Sequence, residues 1–495
     1  MSFPKFGHPV FAWVALAPLI VATTLAAIAG VSMRRVFLLG VTAGFVYFIG
    51  TLYWIALVMA THGGLPMVLA YALMAGLALH LSLFLGLFAW WLGRAVRRFG
   101  LAGVWFAPWL WVATEWLRAW LGWEFPWVLL GSSQATVVPV VQLASVTGVY
   151  GLSALLALVS TATAVVALSR LPIHRRGAMA VAVVVLVTVA AGTWRARTNT
   201  LTATGSPIRV GLLQGNVPQD AKWNPAFRAA IVDRYIGLSR QAIAAGAQLV
   251  VWPEASTPFY FDRDAAAAAP IRRLAAEARV PFILGTDAYE PATAGNPERF
   301  YNTAALVGTD GTTRGSYRKV RLVPFGEFVP FKRILFFVGP LVEAVSDFSP
   351  GREFTVFDIE GSRLSVAICY EAVYASVARA FVDGGSQLLT TITNDAWFGR
   401  TSAADQHFEQ AALRAVEQGR YLVRAANTGI TGAVDPYGRV ISRTALFETT
   451  MVTVDVRLLS GRTIYQSIGD VIAWASLVVA GAVVWLTRRR RTLPS

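Results

Sequence analysis

Apolar residues dominate both ends of the chain. Residues 1–194 and 468–487 are almost continuously hydrophobic, whereas 207–459 has the mixed pattern of a globular domain. A helix of about 20 apolar residues is long enough to cross the ~30 Å hydrocarbon layer of a membrane. Seven such helices are predicted, at residues 9–30, 36–59, 66–92, 101–121, 148–169, 178–194 and 468–487. We therefore divide the chain into an N-terminal transmembrane bundle (1–200), a central domain (207–459) and a C-terminal transmembrane helix with a basic tail (466–495).

The central domain alternates between strand and helix patterns. Short apolar, β-branched runs predict strands at Ile208–Leu213, Gln248–Trp252, Phe282–Thr286, Leu364–Ile368 and Leu388–Thr393. Amphipathic periodicity predicts helices at residues 226–245, 265–279, 373–383 and 404–418. A β-hairpin is predicted over Gly432–Val440 and Met451–Val456. This order predicts a layered α/β domain, in which sites usually form just beyond the ends of strands.

Composition and charge support a membrane location. The chain is 55% hydrophobic and only 14% charged, which is too apolar for an ordinary soluble protein of 495 residues. Its net charge is +15, and twelve arginines fall in four short segments without acidic residues: Arg34–Arg35, Arg94–Arg98, Arg170–Arg176 and Arg488–Arg491. Basic loops stay on the cytoplasmic side of a membrane. The pattern therefore predicts an extracytoplasmic central domain and a cytoplasmic C-terminus, and it explains most of the positive charge without a nucleic-acid partner.

The fourth apolar segment carries two ionisable residues. Glu115 and Arg118 are three residues apart and so share one face of a helix. Ionisable groups at membrane depth usually face a cavity or the interior of a bundle. The two residues are therefore candidates for a membrane-facing functional site, with internal charge neutralisation as the alternative. Residues 122–134 are too polar to span and are predicted to form a re-entrant or interfacial loop.

Three strand-end residues could together form one catalytic site. Cys369, the only cysteine, would be the nucleophile and Glu254 its general base. Lys319 would be a cation that lowers the pKa of the thiol and meets a developing oxyanion. The alternatives are a buried core cysteine, a strand-end cap or salt bridge at Glu254, and a solvated basic face around Lys319. The three are too far apart in sequence for the pattern alone to bring them together.

No metal or cofactor is expected. Four of the five histidines lie in or beside the hydrophobic segments, and His407 stands in a helix without a second ligand at metal-binding spacing. A cysteine–histidine hydrolase would need His407 beside Cys369, which we do not expect. The sequence also contains no glycine-rich phosphate loop, dinucleotide fingerprint or zinc pattern.

Three segments resemble the signature stretches of the carbon-nitrogen hydrolase (nitrilase) superfamily: Val251–Glu254, Tyr317–Glu327 and Ile368–Glu371. In that superfamily a Glu-Lys-Cys triad lies in an α-β-β-α sandwich. More narrowly, the chain resembles the apolipoprotein N-acyltransferase family of the Gram-negative inner membrane. The supporting segments are Gln214–Gln219 with Lys222 and Trp223, Asn394–Gly399, Gln406–Phe408 and Thr114–Arg118.

The resemblance implies a reaction in two steps. The Cys369 thiolate would attack an acyl ester of a membrane phospholipid, giving a thioester and a lysophospholipid. The free α-amine of a diacylglyceryl-cysteine at the N-terminus of an apolipoprotein would then take the acyl group as an amide. Glu254 would move the protons, while Lys319 and the backbone N–H of Tyr370 would stabilise the oxyanion.

Further residues are assigned by the same resemblance. Glu327 would orient Lys319 or the base, and Tyr370 and Glu371 would support the nucleophile. Four residues are assigned to substrate binding, with core packing as the alternative for the aromatic ones: Trp223, Asn394, Trp397 and Phe398.

The resemblance also implies location and organisation. The enzyme would be a monomer, in contact with the bilayer of the bacterial inner membrane, with its catalytic domain on the periplasmic side and no cofactor. The family normally has eight spanning helices, and residues 2–9 resemble the loop after the first, so seven are expected here. Residues 325–345 are apolar and aromatic. We expect this arm to dip into the outer leaflet and gate lipid entry, with packing against the domain as the alternative.

Two other functions compete. A membrane-anchored amidase or nitrilase could use the same three residues on a small soluble amide, with water replacing the lipoprotein amine. A transporter or sensor with an outer ligand-binding domain would leave the three signature stretches unexplained.

Overall fold

The computed structural model describes residues 2–4, 7–121, 124–293, 295, 297–324, 326–328 and 348–488. Most of the predicted lipid-gating arm lies outside the described residues. The chain forms two compact units. The first contains the residues up to Ala60, Leu65–Thr198 and the segment from Thr463, and the second contains Thr61–Gly64 and Asn199–Arg462.

The first unit is helical. Its helices before the second unit are α1 (Ala17–Ile28), α2 (Met33–Leu52), α3 (Trp54–Thr61), α4 (Met67–Phe99), α5 (Ala107–Trp120), α6 (Val138–Val141), α7 (Ala144–Leu168) and α8 (Pro172–Thr198).

Six helical segments among the described residues are long and apolar enough to cross a membrane, where the hydrophobic pattern predicts seven. The difference lies at Met67–Trp120, a single run of 54 residues. Within it, α4 passes through a 3₁₀ helix at Gly100–Phe106 into α5, which has only 14 residues. This run contains both predicted segments, 66–92 and 101–121, so the two counts differ only in how the run is divided.

The second unit begins with the short helix α9 (Thr200–Ala203) and contains two six-stranded sheets. The strands are β1 (Ser206–Gln214), β2 (Leu249–Val251), β3 (Phe282–Glu290), β4 (Arg299–Val307), β5 (Thr313–Arg318), β6 (Val356–Ile359), β7 (Ser362–Ile368), β8 (Leu388–Thr393), β9 (Leu422–Ala426), β10 (Gly432–Val434), β11 (Val440–Arg443) and β12 (Thr450–Leu458). The first sheet has the order β12-β1-β2-β3-β4-β5 and the second the order β11-β10-β9-β8-β7-β6.

Each sheet has a parallel centre with antiparallel strands on both sides. Strands β1, β2 and β3 pair in parallel, as do β7, β8 and β9. The edges add β12, β4 and β5 to the first sheet and β6, β10 and β11 to the second, all antiparallel. Parallel strands need long crossover connections, and helices supply them. These helices are α10 (Gln219–Lys222), α11 (Arg228–Ala244), α12 (Ala265–Ala278), α13 (Ala375–Asp383) and α14 (Ala403–Gln418).

Helical periodicity explains how α11 and α12 pack on the first sheet. In α11, Ile231, Tyr235, Leu238 and Ala242 recur every three or four residues and are all buried. They share one core with residues of α12 and with Trp252, whose indole N–H donates to Ser239 Oγ at 2.9 Å. The Asp264 carboxylate caps the start of α12 by accepting from Ala267 N at 3.0 Å. The chain continues after Arg462 into α15 (Ile464–Ile468) and α16 (Val471–Arg488), which belong to the first unit.

The predicted fold class, a helical region plus an α/β domain, is confirmed. Five strands are not predicted by the local patterns: β4, β5, β6, β9 and β11. The predicted hairpin is wrong in its pairing, because β10 pairs with β11, whereas β12 pairs with β1 in the other sheet. Local alternation identifies a strand but carries no information about which distant strand completes its hydrogen bonds.

Candidate active site

Cys369 directly follows β7 and has a φ of 53°, in the left-handed region that residues with a Cβ rarely adopt. Such strain costs about 1–3 kcal/mol and persists only where the surrounding structure enforces it. The thiol feels the charges of Glu254 and Lys319 and has a hydrogen bond with the Thr393 side chain at the end of β8. The left-handed backbone conformation of Cys369 thus turns its side chain out of the direction of β7 and towards these groups.

The pKa of the Cys369 thiol is raised, not lowered as the sequence predicted. Burial is the largest cause, and the negative charge of Glu254 adds to it. Lys319 acts in the opposite direction but does not outweigh them. The resting thiol is therefore protonated at neutral pH, so a nucleophilic role requires a base in the site.

Glu254 follows β2 and has a side chain that is held at both oxygens. Its Oε1 accepts from Asn302 Nδ2 at 2.7 Å, and its Oε2 accepts from the backbone N–H of Asn394, also at 2.7 Å. The residue is only 6% exposed. A neighbouring glycine makes room for its backbone, since a Cβ added at Gly285 would lie 2.5 Å from Glu254 Cα. This arrangement presents a fixed, buried carboxylate.

Lys319 follows β5, and its ammonium group lies between two carboxylates. The Nζ atom is 2.9 Å from Glu327 Oε1 and 3.5 Å from Glu254 Oε1. Burial alone would lower the pKa of Lys319, but Glu327 and Glu254 raise it above its ordinary value. The side chain is 1% exposed, so the alternative of a solvated basic face is wrong. The structure provides a permanent, buried cation beside Glu254.

Glu371 ties the turn that carries the cysteine to the segment that carries the lysine. Its Oε2 accepts from Ile368 N at 2.8 Å. Its Oε1 accepts from Tyr317 Oη at 2.7 Å, from Val320 N at 2.7 Å and from Arg321 N at 3.0 Å. Burial raises the pKa of Glu371 even though these bonds act to lower it. A single carboxylate therefore fixes the backbone on both sides of the site.

The predicted substrate-binding residues occupy different positions. Asn394 is 4% exposed, and its side chain is held by Gln219 at 2.7 Å and by Asn427 at 3.0 Å, while its N–H bonds Glu254. Trp397 is half-buried, with its ring edge-on to His62 at 5.1 Å. The other two predicted aromatic residues, Trp223 and Phe398, are half-buried, and Tyr370, which is predicted to support the nucleophile, is buried.

Lys222 is a site residue that the sequence analysis did not assign. Its Nζ donates to the carbonyl oxygen of Glu254 at 3.1 Å, and the residue is 3% exposed. Burial lowers its pKa to about 8. Asp287, whose charge acts on Lys222, has a pKa raised to about 7, mainly by burial. The sequence signal for this role is the position of Lys222 directly before Trp223, which the resemblance assigns to substrate binding.

A second group missed by the sequence analysis lies behind the cysteine. His407 Nε2 is 3.1 Å from the carbonyl oxygen of Cys369, so the expectation that His407 is not beside Cys369 is wrong. Its Nδ1 is 3.1 Å from Asp395 Oδ1 and 3.0 Å from Arg424 Nη2. The contact with Cys369 is made to its backbone carbonyl. Arg424 within the apolar run Leu422–Ala426 was a signal, because a charged residue inside a buried strand needs a partner.

Glu115 and Arg118 lie in the first unit and are each 3% exposed. Glu115 Oε1 accepts from Leu130 N at 2.6 Å, and Arg118 Nη1 donates to Trp127 O at 2.8 Å. Their low exposure shows that both side chains face the interior of the helical unit and not the membrane. The polar partners stabilise these charges, which are removed from water. Their bonds hold the loop after α5.

Comparison with known proteins finds family matches for both parts of the chain. The carbon-nitrogen hydrolase family matches residues 209–465, and the apolipoprotein N-acyltransferase N-terminal domain matches residues 1–162. The apolipoprotein N-acyltransferase of Geobacter metallireducens is 38% identical, covering 100% of this chain and 94% of that protein. That of Methylococcus capsulatus is 35% identical, covering 99% of this chain and 95% of that protein.

Among solved structures, a variant of an amidase of the nitrilase superfamily from Nesterenkonia AN1 is similar at 22% identity. It covers 55% of this chain and 98% of the amidase, with a TM-score of 0.40. The similarity to the acyltransferases includes the helical unit as well as the two-sheet unit. The chain belongs to the apolipoprotein N-acyltransferase family.

Proposed function

We propose that this membrane protein transfers an acyl group from a phospholipid to the N-terminal amine of a diacylglyceryl-cysteine apolipoprotein. The observation that carries the proposal is the similarity to N-acyltransferases over the whole chain, helical unit included. An amidase acting on small soluble amides needs no such unit. The partly exposed Cys369, with the buried Glu254 and Lys319 beside it, supplies a nucleophile, a base and a cation for the reaction.

In the first half-reaction, Glu254 takes the thiol proton as Cys369 sulfur attacks the ester carbonyl of the phospholipid. The carbonyl π electrons move to oxygen, where Lys319 and the Tyr370 N–H stabilise the negative charge. Collapse of this intermediate breaks the bond to the glycerol oxygen, which receives the proton from Glu254. The products are an acyl-thioester on Cys369 and a lysophospholipid. The raised pKa of the thiol is the reason that a fixed base is needed.

In the second half-reaction, the α-amine attacks the thioester carbonyl and Glu254 accepts a proton from the nitrogen. Collapse forms the amide and breaks the carbon–sulfur bond, and the proton returns to the sulfur. A thioester is more reactive towards amines than an oxygen ester, so two moderate barriers replace one high barrier. Lys319 is held by Glu327 at 2.9 Å and so serves both oxyanions from one position.

We assign the second unit to the extracytoplasmic side of the bacterial inner membrane. The four arginine segments support this orientation, because all of them lie on one side when each of the seven predicted hydrophobic segments, 101–121 included, crosses the membrane. Phospholipid then reaches the site from the bilayer, and the C-terminus lies in the cytoplasm.

The test supplies the purified full chain with a phospholipid labelled in its acyl chain and a diacylglyceryl-cysteine peptide. Wild type should form a labelled thioester on Cys369 and then a labelled amide on the peptide. Cys369→Ala should form neither, and Glu254→Gln should lose about 10²–10⁴-fold in rate, as expected when a general base is removed. Glu277→Gln is the matched control, because Glu277 is exposed on α12.

Acyl transfer by Cys369→Ala would refute the mechanism. Wild-type hydrolysis of small amides without transfer to the peptide would instead establish the amidase alternative.

A further inference from the structure

The peptide group between Cys369 and Tyr370 is held from behind by a buried side chain. His407 Nε2 lies 3.1 Å from the Cys369 carbonyl oxygen, and His407 is fully buried within α14. A carbonyl oxygen only accepts hydrogen bonds, so Nε2 must carry the hydrogen. The same peptide group has its N–H on Tyr370, on the side opposite to the carbonyl, because the peptide is planar and trans.

The histidine is itself fixed by charged partners. Arg424 Nη2 lies 3.0 Å from Nδ1 and donates to Asp395 Oδ2 at 2.8 Å, while Asp395 Oδ1 is 3.1 Å from Nδ1. All three side chains are inaccessible to solvent. A protonated Nδ1 would donate to Asp395, and an unprotonated Nδ1 would accept from Arg424. Both arrangements leave the hydrogen on Nε2 directed at the Cys369 carbonyl.

The same segment also reaches the base. Asp395 directly follows Asn394, whose backbone N–H donates to Glu254 Oε2 at 2.7 Å. The loop after β8 therefore contacts the proposed base through Asn394 and orients His407 through Asp395. Because Cys369 has a φ of 53°, its peptide group needs such a support to keep its orientation.

We propose that His407 is a positioning residue, whose bond to the Cys369 carbonyl aims the Tyr370 N–H at the oxyanion. This rests on the proposed function, in which Cys369 forms the acyl-enzyme and the Tyr370 N–H stabilises its intermediate. His407 exchanges no proton with the thiol, so it affects the acylation step and not the ionisation of Cys369. Asp395 and Arg424 set the ring through the contacts described above.

The test separates acylation from thiol reactivity in the full chain. His407→Gln keeps an amide N–H at about the reach of Nε2, whereas the side chains of His407→Asn and His407→Leu are too short or apolar. The rate of thioester formation from labelled phospholipid should fall by about 10²-fold in the Asn and Leu variants, as for loss of one oxyanion donor. It should stay close to wild type in the Gln variant. The alkylation rate of Cys369 and its pH dependence should be unchanged in all three.

Equal thioester formation in all three variants and wild type would overturn the proposal. So would a loss matched by slower alkylation or a shifted pH profile, since either result would place His407 on the thiol. If wild type itself forms no thioester, the proposed function fails before His407 is tested.

A second measurement observes the hydrogen bond directly. The chain has one cysteine, so cysteine labelled with ¹³C at the carbonyl places one label in the protein. Loss of the bond from His407 should move the infrared stretch of that carbonyl to higher wavenumber in the Leu variant and leave it unchanged in the Gln variant. If the Asn and Leu variants do not fold, the Gln variant decides. A retained stretch with retained acylation supports the proposal, and a shifted stretch with wild-type acylation overturns it.

Discussion

At the scale of single residues, burial controls the chemistry of the site. Burial is the first cause of three pKa shifts: it raises the pKa of the Cys369 thiol and of the Asp287 carboxyl and lowers that of the Lys222 ammonium. Each shift favours the neutral form of the group. Lys319 is the opposite case, because two carboxylates keep it charged. The site therefore combines a neutral nucleophile with a permanent cation, and only the former needs activation.

The raised pKa of Cys369 predicts how the thiol reacts with iodoacetamide. Below its pKa the thiolate fraction increases about tenfold per pH unit, so the alkylation rate should rise without a plateau between about pH 6 and 9. A thiol with a lowered pKa would instead reach a plateau near neutral pH. The measurement is mass-spectrometric labelling of the full chain over that range, with a cysteine peptide as reference. A plateau below pH 8 would contradict the expected direction.

At the scale of elements, the catalytic groups stand at the ends of strands that point the same way. Glu254 follows β2, Cys369 follows β7 and Asn394 follows β8, all members of the parallel centres. Two antiparallel pairings separate β3 from β5, so β5 ends at the same edge and delivers Lys319 there. Close packing of β3 against the Glu254 backbone is part of this arrangement, since Gly285 N bonds Pro253 O at 3.2 Å.

Gly285→Ala should therefore damage the site without removing any catalytic group. Its Cβ would lie 2.4 Å from Pro253 O and 2.5 Å from Glu254 Cα, so the backbone that carries the base must shift. A displacement on the order of 1 Å costs about 10²-fold in rate, which thioester formation would report. The matched control is Gly237→Ala in α11, where an added Cβ meets nothing within 4 Å.

The control should keep full activity and gain about 0.5–1 kcal/mol in helix stability, measured by thermal unfolding. Equal activity of the two variants would show that the contact at Gly285 does not position the base.

At the scale of the whole molecule, the two units are built for different solvents. The first exposes large apolar side chains along its helices, among them Leu186, Trp194 and Val478. Such surfaces are stable in hydrocarbon. The second unit buries its apolar side chains in layers of sheet and helix. One chain therefore contains a lipid-facing unit and a water-facing unit.

The proposed orientation predicts which side of the membrane each unit occupies. In a Cys369→Ala background, the exposed positions Arg240 in α11 and Arg176 in α8 can each be replaced by cysteine. A membrane-impermeant maleimide added to intact spheroplasts should label Arg240→Cys and not Arg176→Cys, and permeabilisation should allow both to react. The reverse pattern would overturn the orientation and with it the periplasmic site.

Local patterns predicted much of the fold and part of the site. Most strands and helices of the second unit follow from alternation and helical periodicity, and Glu254, Lys319 and Cys369 were assigned from their segments. Strands such as β4 and β9 were missed because polar Asn302 and Arg424 interrupt their apolar runs. Those two residues are buried and bonded to Glu254 and Asp395, so the polar groups that hid the strands also support the site.

By itself the sequence determined which segments meet lipid, which form an α/β domain, and which residue types are available for catalysis. These properties depend on hydrophobic periodicity and on composition, which act over neighbouring residues. Only the tertiary structure decided that Lys319 lies between Glu254 and Glu327, that Glu371 ties two distant turns, and that His407 holds the Cys369 peptide. Those contacts join residues far apart in the chain. They form because strands of two sheets end at one place, where buried polar groups must find partners.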